Sequence, residues 1–196
     1  MNKNRHINKV AVIGSGIMGS RIACHFANIG VEVLLLDIIP NDISKEEKEN
    51  QVQRNSIVND ALQNTLKSKP SPIYSKEFIS RITTGNLEDD INKISAVDWI
   101  IEVVIEKLDI KKQVFEKIEK YRKKGTLISS NTSGIPIESM LDERSEDFQK
   151  HFCGTHFFNP PRYLKLLEII PSTKTSSEII DFLMEYGDRF LGKDMV

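Results

Sequence analysis

Two polar residues stand alone in apolar surroundings late in the sequence. His156 lies in HFFNP and, twelve positions on, Glu168 lies in LLEII. Both segments read as strands, and an isolated polar group in a strand interior needs a partner. If the two strands are neighbours joined by the connection from Asn159 to Lys165, the carboxylate reaches one imidazole nitrogen. It then fixes the tautomer and stabilises the cation formed on proton uptake. Such a histidine is a general base for chemistry near neutral pH. Spacing alone equally admits a histidine satisfied by a backbone carbonyl and a glutamate on an edge strand.

Gly14, Gly16 and Gly19 spell GxGxxG between a predicted strand and the start of a predicted helix, the context that gives this pattern meaning. Gly14 permits a sharp turn, Gly16 lets backbone approach a pyrophosphate, and Gly19 lets helix pack on strand, while free amides at the helix start attract the anion. Asp37 closes the second predicted strand 18 residues past Gly19, where a carboxylate accepts hydrogen bonds from both hydroxyls of an adenosine ribose and repels a 2′-phosphate. Ile38 and Ile39 follow without an arginine, so the predicted cofactor is NAD rather than NADP. The plainer alternative is glycines that only turn the chain and an aspartate that only ends a strand. A nicotinamide takes a hydride from a carbinol carbon as the hydroxyl proton departs, so a base beside such a cofactor is what an alcohol dehydrogenase requires.

Three further residues are candidates. Ser133, in SSNTSG, can donate to a substrate oxygen, or simply close a turn ahead of Pro136. Glu106 and Lys111 follow the apolar run VDWIIEVV, at the strand end where cofactors bind in such sheets; a solvated helix start reads as well. Arg21 and His25 fall opposite Ala23 and Phe26 on the first helix and read as solvated side chains without a role.

The elements that must position these groups alternate. Strands are predicted at 9–13, 32–36, 81–84, 97–104, 126–130, 154–158 and 166–170. Helices are predicted at 17–29, within 41–69, at 108–121, just after Pro136 and at 176–191. This alternation predicts an α/β fold, a doubly wound Rossmann-type domain with a mainly parallel sheet over 9–196, preceded by a flexible tail at 1–8.

Composition narrows the partners. The 196 residues are 39% apolar and 28% charged, an ordinary balance for a chain that folds. Lys plus Arg 27 against Asp plus Glu 28 leaves a net charge of -1, so no global field favours nucleic acid or an anionic membrane surface. No apolar stretch approaches the roughly 18 residues of a membrane span, and residues 1–8 lack a signal-peptide core, which predicts a cytoplasmic protein. Cys24 and Cys153 lie far apart without a CxxC, which indicates neither a metal site nor a redox pair and predicts buried, reduced thiols.

The stretches VAVIGSGIMGSRIA, VDWIIEVVIEKLDIK, ISSNTSGI and GTHFFNPPRYLKLLEIIP together resemble the NAD-binding domain of the L-3-hydroxyacyl-CoA dehydrogenases of fatty acid β-oxidation, from about Lys9 to Gly192. The last two stretches are far more specific than a glycine loop. The resemblance is nearest to the long bacterial form, in which an enoyl-CoA hydratase-like part follows the dehydrogenase. It implies that His156 is the catalytic base, Glu168 its orienting partner and Ser133 a donor to the 3-oxygen of the substrate, with Asn159 shaping the substrate site. It also implies that Glu106 and Lys111 lie near the nicotinamide end of the cofactor and that Asp37 binds the ribose. The implied reaction is (S)-3-hydroxyacyl-CoA plus NAD to 3-oxoacyl-CoA plus NADH.

Two departures qualify the resemblance. The family usually has a small residue where Arg21 stands. It also continues into a GFxxNR-like segment and a helical domain that closes the cleft and commonly dimerises. That C-terminal helical domain is absent from this chain, so the resemblance implies an N-terminal fragment that binds NAD but turns over little, possessing monomeric character where the full-length protein is a homo-oligomer. Two other function classes stay open: a related NAD-linked hydroxy acid dehydrogenase, and a non-catalytic NAD-binding or crystallin-like structural protein.

Overall fold

The computed structural model describes residues 5–44 and 49–196. β1 (Lys9–Ile13) leads through α1 (Ile17–Asn28) to β2 (Glu32–Asp37), and α2 (Gln51–Arg54) and α3 (Ser56–Lys67) precede β3 (Ile82–Asn86). Next come β4 (Trp99–Glu102), α4 (Leu108–Tyr121), β5 (Leu127–Ser130), α5 (Glu146–Lys150) and β6 (Phe152–Phe157). β7 (Leu166–Pro171), α6 (Ser177–Arg189) and β8 (Asp194–Met195) complete the chain. The sheet order is β3-β2-β1-β4-β5-β6-β7-β8, parallel as far as β6, with β7 antiparallel to β6 and β8 parallel to β7.

The central strands read as continuous apolar runs because both of their faces are covered. Period-two alternation sends Val10, Val12, Val33, Leu35, Trp99 and Ile101 into one core with Phe26 of α1 and Leu183 of α6. Ala11, Ile13, Leu34, Leu36 and Ile100 enter the other, against Phe115 and Ile118 of α4 and Phe148 of α5. Burying each of these phenylalanines contributes roughly 1.5–3 kcal/mol. Strand order reverses between β1 and β4, so their C-terminal ends open a crevice at the switch point, where ligands bind in sheets of this kind.

Four expectations need correction. The fourth strand ends at Glu102 rather than Val104, because the Glu102 carboxylate accepts the Val104 amide at 2.7 Å and turns the chain out of the sheet. His25 is buried, not solvated: the segment after α6 closes over it and the Leu191 carbonyl lies 3.2 Å from Nε2. Arg21 is half-buried. Within the expected tail, residues 1–4 lie outside the described residues, whereas Ile7 is buried and the Asn8 amide donates to Asp98 at 2.8 Å. Of the expected helices within 41–69, residues 45–48 lie outside the described residues.

Candidate active site

His156 and Glu168 are direct cross-strand partners in the antiparallel β6–β7 pair. Opposite residues in such a pair share a face, and the His156 Nδ1 to Glu168 Oε2 distance is 2.7 Å. An ionised carboxylate only accepts, so Nδ1 carries the hydrogen of this bond and Nε2 keeps its lone pair for an incoming proton. Phe158 lies against the imidazole, with ring centroids 4.5 Å apart. His156 retains side-chain exposure of 21%, enough to meet a substrate.

The glycine loop joins β1 to α1 at the crevice. Gly14 has φ +102°, and a Cβ there would lie 2.7 Å from the Val103 carbonyl oxygen; one on Gly19 would lie 1.8 Å from the oxygen of Gly14. Those two glycines are demanded by the protein itself. Gly16 differs: a Cβ would meet nothing within 4 Å, so the space outside it is open for a ligand. No side chain caps α1, leaving its first amides for an anion. Asp37, at the end of β2, accepts the Ser15 amide at 2.6 Å, the Ser15 hydroxyl at 2.5 Å and the Ile38 amide at 2.7 Å, fixing the loop while keeping an acceptor site on Oδ1 for a ribose. A groove of about 370 Å³ runs from Gly16 and Arg21 to Asn64 and Ser68 of α3 and its end. These features fit a dinucleotide.

Between the two motifs lies a charge network. Lys111, wholly buried on α4, donates to the equally buried Glu102 at 2.8 Å and lies 3.3 Å from Glu106. Burial drives the Glu102 pKa upward against the pull of Lys111, Ser130 and the Val104 amide. Glu106 takes the Thr132 hydroxyl and the amides of Ser133 (3.2 Å) and Gly134 (3.0 Å). Partial burial pushes its pKa up, but Thr132, Gly134 and Lys111 overcome this and hold it at about 2. The turn after β5 is therefore clamped, with Ser133 exposed.

His156 and Glu168 thus meet directly, and Ser133, Glu106 and Lys111 share one network. Asn159 accepts from Arg21 of α1 at 2.6 Å, joining the HFFNP turn to the helix that starts at the glycine loop. Among the described residues no hydrogen bond links Ser133 or Asn159 to the His156–Glu168 pair. Asn131, absent from the sequence candidates, accepts the Phe157 amide at 2.9 Å and ties the β5 turn to β6. Ser15, Glu102 and Thr132 were likewise not singled out; only Glu102, a lone acid in WIIEVV, carried a signal in the sequence. Cys24 and Cys153 are buried free thiols, each with its pKa pushed up to about 12 by burial.

Known proteins resemble this chain in sequence and fold. The profile of the family described as "3-hydroxyacyl-CoA dehydrogenase, NAD binding domain" matches residues 9–196. A Bacillus subtilis protein named "Probable 3-hydroxyacyl-CoA dehydrogenase" is 52% identical over 98% of this chain and 25% of its own length. A Rickettsia felis protein named "Putative fatty acid oxidation complex trifunctional enzyme" is 42% identical over 97% of this chain and 25% of its own length. The crystal structure of 3-hydroxybutyryl-CoA dehydrogenase from Escherichia coli K12 superposes with a TM-score of 0.72 at 30% identity, over 97% of this chain and 38% of that one. The chain thus spans about a quarter of the length of these two curated relatives. With the family profile running from β1 to the last residue, the chain belongs to the 3-hydroxyacyl-CoA dehydrogenase family as its NAD-binding domain.

Proposed function

We propose that the complete gene product oxidises (S)-3-hydroxyacyl-CoA to 3-oxoacyl-CoA with NAD, as a step of fatty acid β-oxidation. The observation that carries this reading is the 2.7 Å contact between His156 Nδ1 and Glu168 Oε2, with His156 near the C-terminal end of β6, the end of the parallel strands at which the crevice opens. Bound NAD supplies the hydride acceptor. His156 takes the hydroxyl proton at Nε2, and Glu168 stabilises the imidazolium so formed. Ser133 donates to the 3-oxygen, and Asn159 shapes the substrate site. Asp37 binds the adenosine ribose, and Glu106, backed by the buried Lys111, lies at the nicotinamide end. The relatives' printed names support the substrate class, since two of the three name hydroxyacyl- or hydroxybutyryl-CoA and the third names fatty acid oxidation.

The reading includes a cytoplasmic setting; no helix among the described residues is long and apolar enough to cross a membrane. It also includes a homo-oligomeric complete product and an isolated domain that is monomeric, binds NAD and turns over little, because positioning and water exclusion need more surface than one crevice wall.

The test is NADH appearance with the complete gene product, offered (S)-3-hydroxyacyl-CoA thioesters and the corresponding free acids. Turnover of thioesters is expected. Turnover of free acids alone would replace this reading with a hydroxy acid dehydrogenase, and tight NADH binding with neither turnover would replace it with a non-catalytic nucleotide-binding protein.

A further inference from the structure

The buried acid at the end of β4 has no place in the chemistry described above, yet everything around Ser133 leads back to it. Glu102 Oε1 accepts Lys111 Nζ at 2.8 Å and the Val104 amide at 2.7 Å, while Oε2 accepts the Ser130 hydroxyl at 2.5 Å. Its side chain has no exposure and that of Lys111 has 1%, so the Lys111 ammonium depends on neighbouring anions in place of water. The second anion is Glu106, 3.3 Å away and 42% exposed. Glu106 divides its oxygens: Oε2 faces Lys111, and Oε1 takes Thr132 Oγ1 and the Ser133 and Gly134 amides. One path therefore runs from β5 through Glu102, Lys111 and Glu106 to the turn carrying Ser133.

We propose that Glu102 is a positioning residue: its buried carboxylate holds Lys111 between β4 and α4, and Lys111 in turn holds Glu106 in register with the Ser133–Gly134 amides. Without that anion, Lys111 swings toward Glu106, its one remaining anionic partner among the described residues. That movement rotates Glu106 off the turn and releases the Ser133 hydroxyl from its place. The role of Ser133 rests on the dehydrogenase reading, but the clamp itself does not.

The test compares wild type, Glu102→Gln, which keeps the shape and removes the charge, and the double variant Glu102→Gln/Lys111→Met, which removes both charges and relieves the unpaired ammonium. Amide exchange is read by NMR without cofactor, together with thermal unfolding and NADH titration. In Glu102→Gln the Ser133 and Gly134 amides are expected to exchange at least about tenfold faster while Val12 in β1 stays protected, and NADH affinity falls at least about tenfold. The double variant is expected to regain thermal stability but not protection of the turn. Should Glu102→Gln fail to fold, the double variant alone decides, by a loose or a tight turn. Unchanged exchange at Ser133 and Gly134, or protection restored along with stability in the double variant, would overturn the proposal by making Glu102 a merely structural group. A wild-type protein inactive on hydroxyacyl-CoA would remove the function proposed for Ser133 and leave the exchange result standing.

Discussion

His156 and Glu168 face each other across an antiparallel strand pair, and their 2.7 Å contact is set by the register of β6 and β7 rather than by loop geometry. A one-residue slip would send Glu168 to the opposite face of the sheet. The hydrogen-bonded ladder therefore holds the imidazole in one orientation and one tautomer before any ligand arrives. Preorganisation of this kind is what a general base needs, since realignment within the reaction would add to the barrier.

Replacing Glu168 by Gln tests the tautomer. A glutamine amide offers N–H to Nδ1 and moves the imidazole hydrogen to Nε2, where it blocks proton uptake. For Glu168→Gln the expected fall in kcat is about 10²–10⁴-fold, with NADH affinity within about twofold of wild type. Steady-state kinetics and NADH fluorescence titration measure both; an unchanged kcat would show that the carboxylate does not set the tautomer.

The glycine loop makes opposite predictions for two of its members. Gly16 has φ -53°, which any residue adopts, and a Cβ there meets open space. Gly16→Ala should leave the unfolding temperature unchanged but weaken NADH binding at least about tenfold, or 1.4 kcal/mol. Gly19→Ala drives a methyl group into the Gly14 carbonyl and should destabilise the fold itself by about 1–3 kcal/mol or more. Thermal melts with and without NADH separate the two, and a Gly16→Ala protein binding NADH as wild type does would remove the pyrophosphate from this loop.

Acid should weaken the fold through His25. Burial, with the Lys193 charge beside it, pushes the His25 pKa down to about 4, only partly opposed by the Leu191 carbonyl. Above about pH 6.5 the ring is neutral in both folded and unfolded chains and contributes no pH dependence. Between about 6.5 and 4 the unfolded chain binds a proton that the folded one does not, so stability falls with pH, by up to about 3 kcal/mol. Urea unfolding at pH 7 and pH 5 measures the slope, and His25→Leu should flatten it. A wild-type slope of zero over that range would mean the ring is not buried in neutral form.

The fold was legible because its strands are unusual in composition. KVAVI, EVLLL and the core of VDWIIEVV are apolar on both faces, a pattern that parallel sheets covered on both sides require. His156 and Glu168 were legible as a candidate pair because each interrupts such a run. Strand ends were less so: hydropathy carries Val103 and Val104 onward, and only the Glu102 carboxylate, by capturing an amide, stops the strand. α1 was read as one-faced because periodicity records the burial that a helix needs, not the cover it receives; His25 is covered by a segment more than 160 residues away in sequence. The short α5 and β8 carry too few residues for a period to register. Lys111 and Glu102 illustrate the same limit from the other side. A lysine at a helix start looks solvated until tertiary packing closes over it, and the pairing of two buried charges across β4 and α4 is set by that packing alone.

The central claim is that His156 accepts the substrate proton. Its most direct measurement is single-turnover NADH formation from (S)-3-hydroxyacyl-CoA by the complete gene product, wild type against His156→Gln, with NADH affinity measured on both. The account predicts a rate lowered by about 10²–10⁴-fold at unchanged NADH affinity. A His156→Gln protein that reduces NAD at the wild-type rate would contradict it.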